Sequence, residues 1–255
     1  MADKDDQVLR ACVAEGIGTF ALCFIGGGAI CTDAYLAPHG PGLLGIALAH
    51  GLILSIAVTA AMNVSGGHIN PAVTVAMMVV RRISVGRGLA YILSQLAGGI
   101  LGGAMLYVAF SDLGTRADSD LLVIAKAGLG TPHFDLGTAS APQAAIIEAM
   151  LTFILLFAVF GTAVDPRHPN VGGFGVGLAI ACDILVGGPL TGAAMNPARV
   201  VGTGVFSGLT DFWAQQWVYW AGPCGGAILA ALAYEGMIIA RRSPASPTPP
   251  PSSTS

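Results

Sequence analysis

Charge is scarce in this sequence. Of 255 residues, 11 are Lys or Arg and 14 are Asp or Glu, 10% in all, against about 25% in soluble domains. So few charges exclude a water-soluble surface and assign most of it to lipid. The 54% hydrophobic content and mean hydropathy of +0.74 agree. A formal net charge of −3 excludes a nucleic-acid partner on electrostatic grounds. Cysteines are few, and Cys12, Cys23, Cys31, Cys182 and Cys224 lack metal-ligand spacing. They read as small buried hydrophobes, so neither a metal nor a cofactor is expected. No nucleophile–base pair or metal cluster points to an enzyme. A cleavable signal is not expected either, because Asp3, Asp5 and Asp6 precede an apolar run long enough to span. Glycine, by contrast, is abundant at 36 residues, as suits membrane helices whose backbones approach closely.

A hydrocarbon core needs roughly 20 apolar residues of helix. Six stretches qualify, at about 10–31, 43–63, 87–110, 143–164, 171–188 and 214–240. Two more, 71–80 and 197–206, cover only about 15 Å each at the helical rise, so each reaches halfway. Basic residues set the orientation. Lys4, Arg10, Arg81, Arg82, Arg87, Arg167, Arg241 and Arg242 fall on one side of six spans, and only Arg116 and Lys126 on the other. Both termini are therefore expected in the cytoplasm. The channel domain is placed at 1–242, with halves at about 8–112 and 140–242, and the Pro/Ser/Thr-rich 243–255 as a disordered tail.

The chain is written twice. Glu15-x-x-x-Thr19-Phe20-x-Leu22-x-Phe24 recurs as Glu148-x-x-x-Thr152-Phe153-x-Leu155-x-Phe157, an offset of 133. Ser65-Gly66-x-x-Ile69-Asn70-Pro71-Ala72 recurs as Thr191-Gly192-x-x-Met195-Asn196-Pro197-Ala198, an offset of 126. Three spans per half is an odd number, so the second half enters the membrane inverted. The two short helices then point at each other near the midplane. The expected fold class is an all-α integral membrane protein of six transmembrane helices and two re-entrant half-helices.

The paired Asn-Pro-Ala motifs, the Glu-x-x-x-Thr-Phe starts and Trp217-Val218-Tyr219-Trp220-Ala221-Gly222-Pro223 resemble the aquaporin (major intrinsic protein) family over about residues 8–240. The resemblance implies a passive, homotetrameric pore in a lipid bilayer, passing water and small neutral solutes such as ammonia, urea and hydrogen peroxide. Proline at the first helical position makes Asn70 and Asn196 N-caps whose amides also face the lumen. Two half-helix dipoles put positive ends at the midplane, which repels hydronium and orients water against proton relay. The non-helical approaches must line a wet lumen, so Gly66, Gly67, His68, Gly192, Ala193 and Ala194 are expected to form a carbonyl ladder. Glu15 and Glu148, symmetric in the repeat, are expected to accept hydrogen bonds from the free N–H groups of these loops.

Arg199 lies in an apolar run, and an intramembrane cation defaults to a cavity. By the resemblance it belongs to a selectivity filter with His50, Ile184 and Ala193, backed by the apolar wall of Leu54 and Ile180. His133 is either a fifth residue at the mouth or an ordinary loop histidine. The His-Ile-Ala-Arg set is most similar to the plant vacuolar-membrane (tonoplast intrinsic) branch. It differs from strict water channels, where an aromatic and a His stand in place of His50 and Ile184. Val200 stands where glycerol facilitators carry Asp. Departures from the family pattern are Val200-Val201-Gly202-Thr203-Gly204 and Asp183. The latter is rotated about 100° from Ile184 and is expected to face a neighbouring helix or subunit. The rival readings are a glycerol-type facilitator and a secondary transporter built on inverted repeats. The membrane is expected to be the plasma or inner membrane, with the vacuolar membrane as the alternative.

Overall fold

The computed structural model describes residues 2–111, 127–167 and 169–239. Arg116, Lys126, Arg241, Arg242 and the tail from Ser243 lie outside the described residues, as does the Lys4 side chain. Among the described residues, six helices are long and apolar enough to cross a membrane: Asp6–Leu36, Gly42–Ala61, Val85–Phe110, Ala141–Val164, Phe174–Thr191 and Phe212–Ile239. They are spans one to six below. Local sequence sets their starts. Ser84 accepts from the Arg87 N–H at the start of span three, and the Ser140 N–H donates to Gln143 Oε1 at the start of span four. Span five ends at Gly192, whose φ of 76° is the left-handed stop that glycine adopts without cost.

Between spans two and three, and again between five and six, the chain enters the bundle as a loop and leaves as a short helix. These half-helices are Pro71–Val79 and Pro197–Gly204. The packing repeats with the sequence: span one lies on span three, span four on span six, and spans two and five meet across the centre. The half-helices are exchanged, the second seated against span three and the first against span six. Glycine permits the closest approaches. A Cβ on Gly98 would stand 2.0 Å from the Gly16 carbonyl oxygen, and one on Gly103 2.0 Å from that of Gly202. Span three thus packs backbone to backbone on span one and on the second half-helix, as small-residue membrane interfaces allow.

Candidate functional site

Asn70 and Asn196 cap the half-helices with their side-chain oxygens. Asn70 Oδ1 accepts from the Ala72 N–H at 2.8 Å, and Asn196 Oδ1 from those of Ala198 and Arg199 at 3.0 and 3.3 Å. Their amide nitrogens cross the midplane: Asn70 Nδ2 donates to the Met195 carbonyl at 2.8 Å and Asn196 Nδ2 to that of Ile69 at 2.9 Å. One N–H of each amide remains to face the lumen. Ile69 and Met195 reach this position with φ of 52° and 51°, a region costly for ordinary side chains and most of all for a β-branched one. The prolines and alanines of both motifs are buried in the packing and line no part of the passage.

Two buried carboxylates hold the strained loops. Glu15 accepts from Ser65 Oγ (2.6 Å), the His68 and Ile69 N–H groups (2.9 and 2.5 Å) and Gln95 Nε2 (2.7 Å). Glu148 accepts from Thr191 Oγ1 (2.6 Å) and the Ala194 and Met195 N–H groups (2.9 and 2.7 Å). Tyr91 and Tyr219 complete each clamp by donating to the Ser65 and Thr191 carbonyls. Sequence reasoning missed both tyrosines and Gln95, although the tyrosines recur at matching places in spans three and six.

These loops bound a lumen that shares lining residues with a vestibule at each end. This narrow lumen is lined by His50, Leu54, Gly66, Gly67, His68, Asn70, Ile180, Ile184, Ala193, Ala194, Asn196 and Arg199, among others. At one end it shares His50, Ile184 and Arg199 with a vestibule that also carries His133 and Gly192. At the other it shares Gly66, Gly67, His68 and Val73 with a vestibule bounded by Arg82 and Arg87. Nearly all the proposed lining residues therefore meet on one path, with Gly192 a step further out. Three further lining residues, Val58, Val73 and Val176, were not singled out from sequence, whereas Gly67 was expected in the carbonyl ladder. The repeat offset of 126 would have found them, since it carries His50, Ile184, Ala193 and Arg199 onto Val176, Val58, Gly67 and Val73. All four line the lumen. The passage thus has a polar ring at the His133 end and an apolar counterpart at the other.

The polar ring is more fixed than its residue types suggest. His50 Nδ1 lies 2.8 Å from the Ile46 carbonyl, so it carries the proton. Nε2 is then an acceptor, and it takes the 2.8 Å bond from Arg199 Nη2. Both ring nitrogens are committed, so His50 offers no free hydrogen-bonding site to a passing solute. The free donor of the ring is Arg199 Nη1, which has no partner among the described residues. His133 is exposed on the vestibule and donates from Nδ1 to the Thr131 carbonyl at 3.1 Å. Asp183 lines neither lumen nor vestibule. It is 3% exposed and its Oδ2 has no hydrogen-bond partner among the described residues, so it is buried within the subunit and does not face another.

The profile of the Major intrinsic protein family matches residues 3–234. The chain belongs to that family. The family's members are membrane channels and not enzymes. Among its relatives, Aquaporin TIP4-4 of Zea mays is 42% identical over 246 residues, 93% of this chain and 90% of the relative. Probable aquaporin TIP3-2 of Arabidopsis thaliana is 41% identical over 244 residues, 91% and 84% of the two. The fold is shared with the X-ray structure of the aquaglyceroporin from Plasmodium falciparum (TM-score 0.76, 23% identity, 91% of this chain and 97% of that one). This major intrinsic protein is a multi-pass membrane protein.

Proposed function

We propose that the chain is a passive channel that passes water through the lumen between the two vestibules and selects at the ring of His50, Ile184, Ala193 and Arg199, with His133 at its mouth. The observation that carries this reading is the reciprocal Asn70–Asn196 arrangement at the lining of the lumen. At the midplane the solute meets two N–H donors and two helix N-termini, and no carboxylate among the described residues that could bind a coupled ion. That disfavours a secondary transporter, which needs an ion or substrate clamp there. Val200 after Arg199 disfavours a glycerol-type pore. Water crosses by exchanging partners between the exposed carbonyls of the re-entrant loops and the Asn amides, while Leu54 and Ile180 bind it weakly enough to let it leave. Protons and cations are opposed by Arg199 and by both half-helix dipoles.

Ammonia is the second solute. Ile184 gives the ring an apolar wall, and ammonia is close to water in size. With His50 saturated, the donors left to meet ammonia's lone pair at the ring are those of the Arg199 guanidinium. Urea and hydrogen peroxide belong to the same class of small neutral permeants. The channel unit is 1–242 in two inverted halves, about 8–112 and 140–242. It assembles as a homotetramer with both termini cytoplasmic. The tonoplast-type relatives favour a vacuole-type membrane over the plasma or inner membrane.

The test is stopped-flow on proteoliposomes. Osmotic shrinkage faster than bare lipid, linear in the gradient and with a low temperature coefficient, is the expected result. Saturable or ion-dependent flux would replace the channel with a carrier. An ammonium pulse should alkalinise the interior faster than in empty liposomes, and Ile184→His should lose that advantage while keeping water flux.

A further inference from the structure

Gly26 ends a π-helical turn, Leu22–Gly26, inside span one, and such turns recur at functional sites. Its φ of −66° and ψ of −50° are ordinary helical values, so the backbone does not call for glycine and alanine would be the better helix former. What glycine supplies is space. A Cβ at Gly26 would stand 2.5 Å from both Cδ2 and Nε2 of His50 and 3.1 Å from Cε1. The imidazole is held at Nδ1 by the Ile46 carbonyl and at Nε2 by Arg199. His50 lines both the lumen and the His133 vestibule, whereas buried Gly26 lines neither. The ring therefore stands between Gly26 and the passage. A methyl behind it must drive it toward the lumen or off one of its two hydrogen bonds.

The repeat gives an independent sign of the same trade. At the first-span offset of 133, Gly26 matches Val159, and at the later offset of 126, His50 matches Val176. Both valines line the lumen. The second half uses two medium side chains where the first half uses none and a large ring.

We propose that Gly26 is a positioning residue that sets the size cut-off of the channel by holding the His50 imidazole back from the lumen and in register with Arg199. This rests on the reading of His50 and Arg199 as the filter. The full chain in proteoliposomes is compared with Gly26→Ala, His50→Ala and the double variant, for water, ammonia and urea. Gly26→Ala should lower permeability to the largest solute the unmodified channel admits by about tenfold, the discrimination one methyl gives in a tight site, and affect smaller solutes less. In the His50→Ala background, where no ring is left to push, the same substitution should change nothing. An equal loss with and without His50 would overturn the proposal. So would an unchanged Gly26→Ala channel when His50→Ala does shift the solute series. A His50→Ala channel with an unaltered series would instead overturn the filter reading itself. If Gly26→Ala does not fold, recovery of folded protein in the double variant supports the steric relation, and equal failure of both variants refutes it.

Discussion

Asn70 and Asn196 each donate a side-chain N–H to the loop that carries the other, at 2.8 and 2.9 Å. The carbonyls they use belong to Met195 and Ile69, both held at positive φ. The halves of the channel are thus joined at the midplane by a reciprocal pair in which a strained residue of each loop presents the acceptor. The same amides line the lumen, so one device joins the halves and sits at the wall of the lumen.

Separating those roles is possible at Asn196. Asn196→Ala removes the cap, worth about 1 kcal/mol, and leaves the buried Ile69 carbonyl without its Asn196 donor, worth about 1–3 kcal/mol more. Asn196→Asp keeps the cap oxygen but loses the donor to Ile69 and brings negative charge to the midplane. Thermal unfolding in detergent should therefore show the larger cap loss for Ala. Proton or cation leak in liposomes should rise for Asp. A leak-free Asp variant with normal water flux would remove Asn196 from ion exclusion.

Arg199→Val should admit larger solutes and raise proton leak. It removes the one cationic side chain lining the lumen among the described residues, and it frees His50 Nε2. Water, urea and proton fluxes measured side by side in liposomes check this. Unchanged selectivity in a folded variant would take Arg199 out of the filter.

Mercury at low concentration should not block the unmodified channel at the lumen. No cysteine lines the lumen or either vestibule among the described residues. Cys182, the exposed one, does not face the passage. Ala193→Cys places a thiol in the lumen and should create rapid block that a thiol reductant reverses. Block of the unmodified protein that survives Cys182→Ser and Cys31→Ser would contradict this placement.

Acid should weaken the connection between spans four and five. Arg167 donates to Asp165 from its side chain and from its backbone N–H, the latter at 2.9 Å. These bonds hold the Asp165 carboxyl below the ordinary carboxylate range. A folded-state value below the unfolded one means the stabilisation is complete above about pH 5 and fades as pH falls through and below the usual range near about 4. Unfolding midpoints recorded from pH 7 downward should drop more steeply below pH 5 for the unmodified protein than for Asp165→Asn. Parallel curves would show that the pair contributes nothing to the folded state.

The spans were legible because length, hydropathy and caps are local properties. The region 197–206 read as a half-length helix from its Asn-Pro start and its short apolar run, and Pro197–Gly204 is helical. Arg199 stood out because an arginine three residues after an N-cap inside an apolar run has few places to go. The family resemblance named the filter residues, and the repeat offset of 126 applied to them would have named Val58, Val73 and Val176.

Residue type and spacing within a few turns of helix were enough for the inventory: two inverted halves, two capped half-helices, two buried glutamates and one cation in the lumen. How the inventory is wired came from the packing of distant segments. The His50 ring is locked by Arg199, 149 residues away, and by a missing methyl on another span, so its hydrogen-bonding capacity is spent inside the protein. Asp183 is enclosed within the subunit, although its angle on the helix left a neighbouring subunit open as well. Such contacts depend on how three or four helices settle against one another. That packing is fixed by close fit across the whole bundle, which no single stretch of sequence contains.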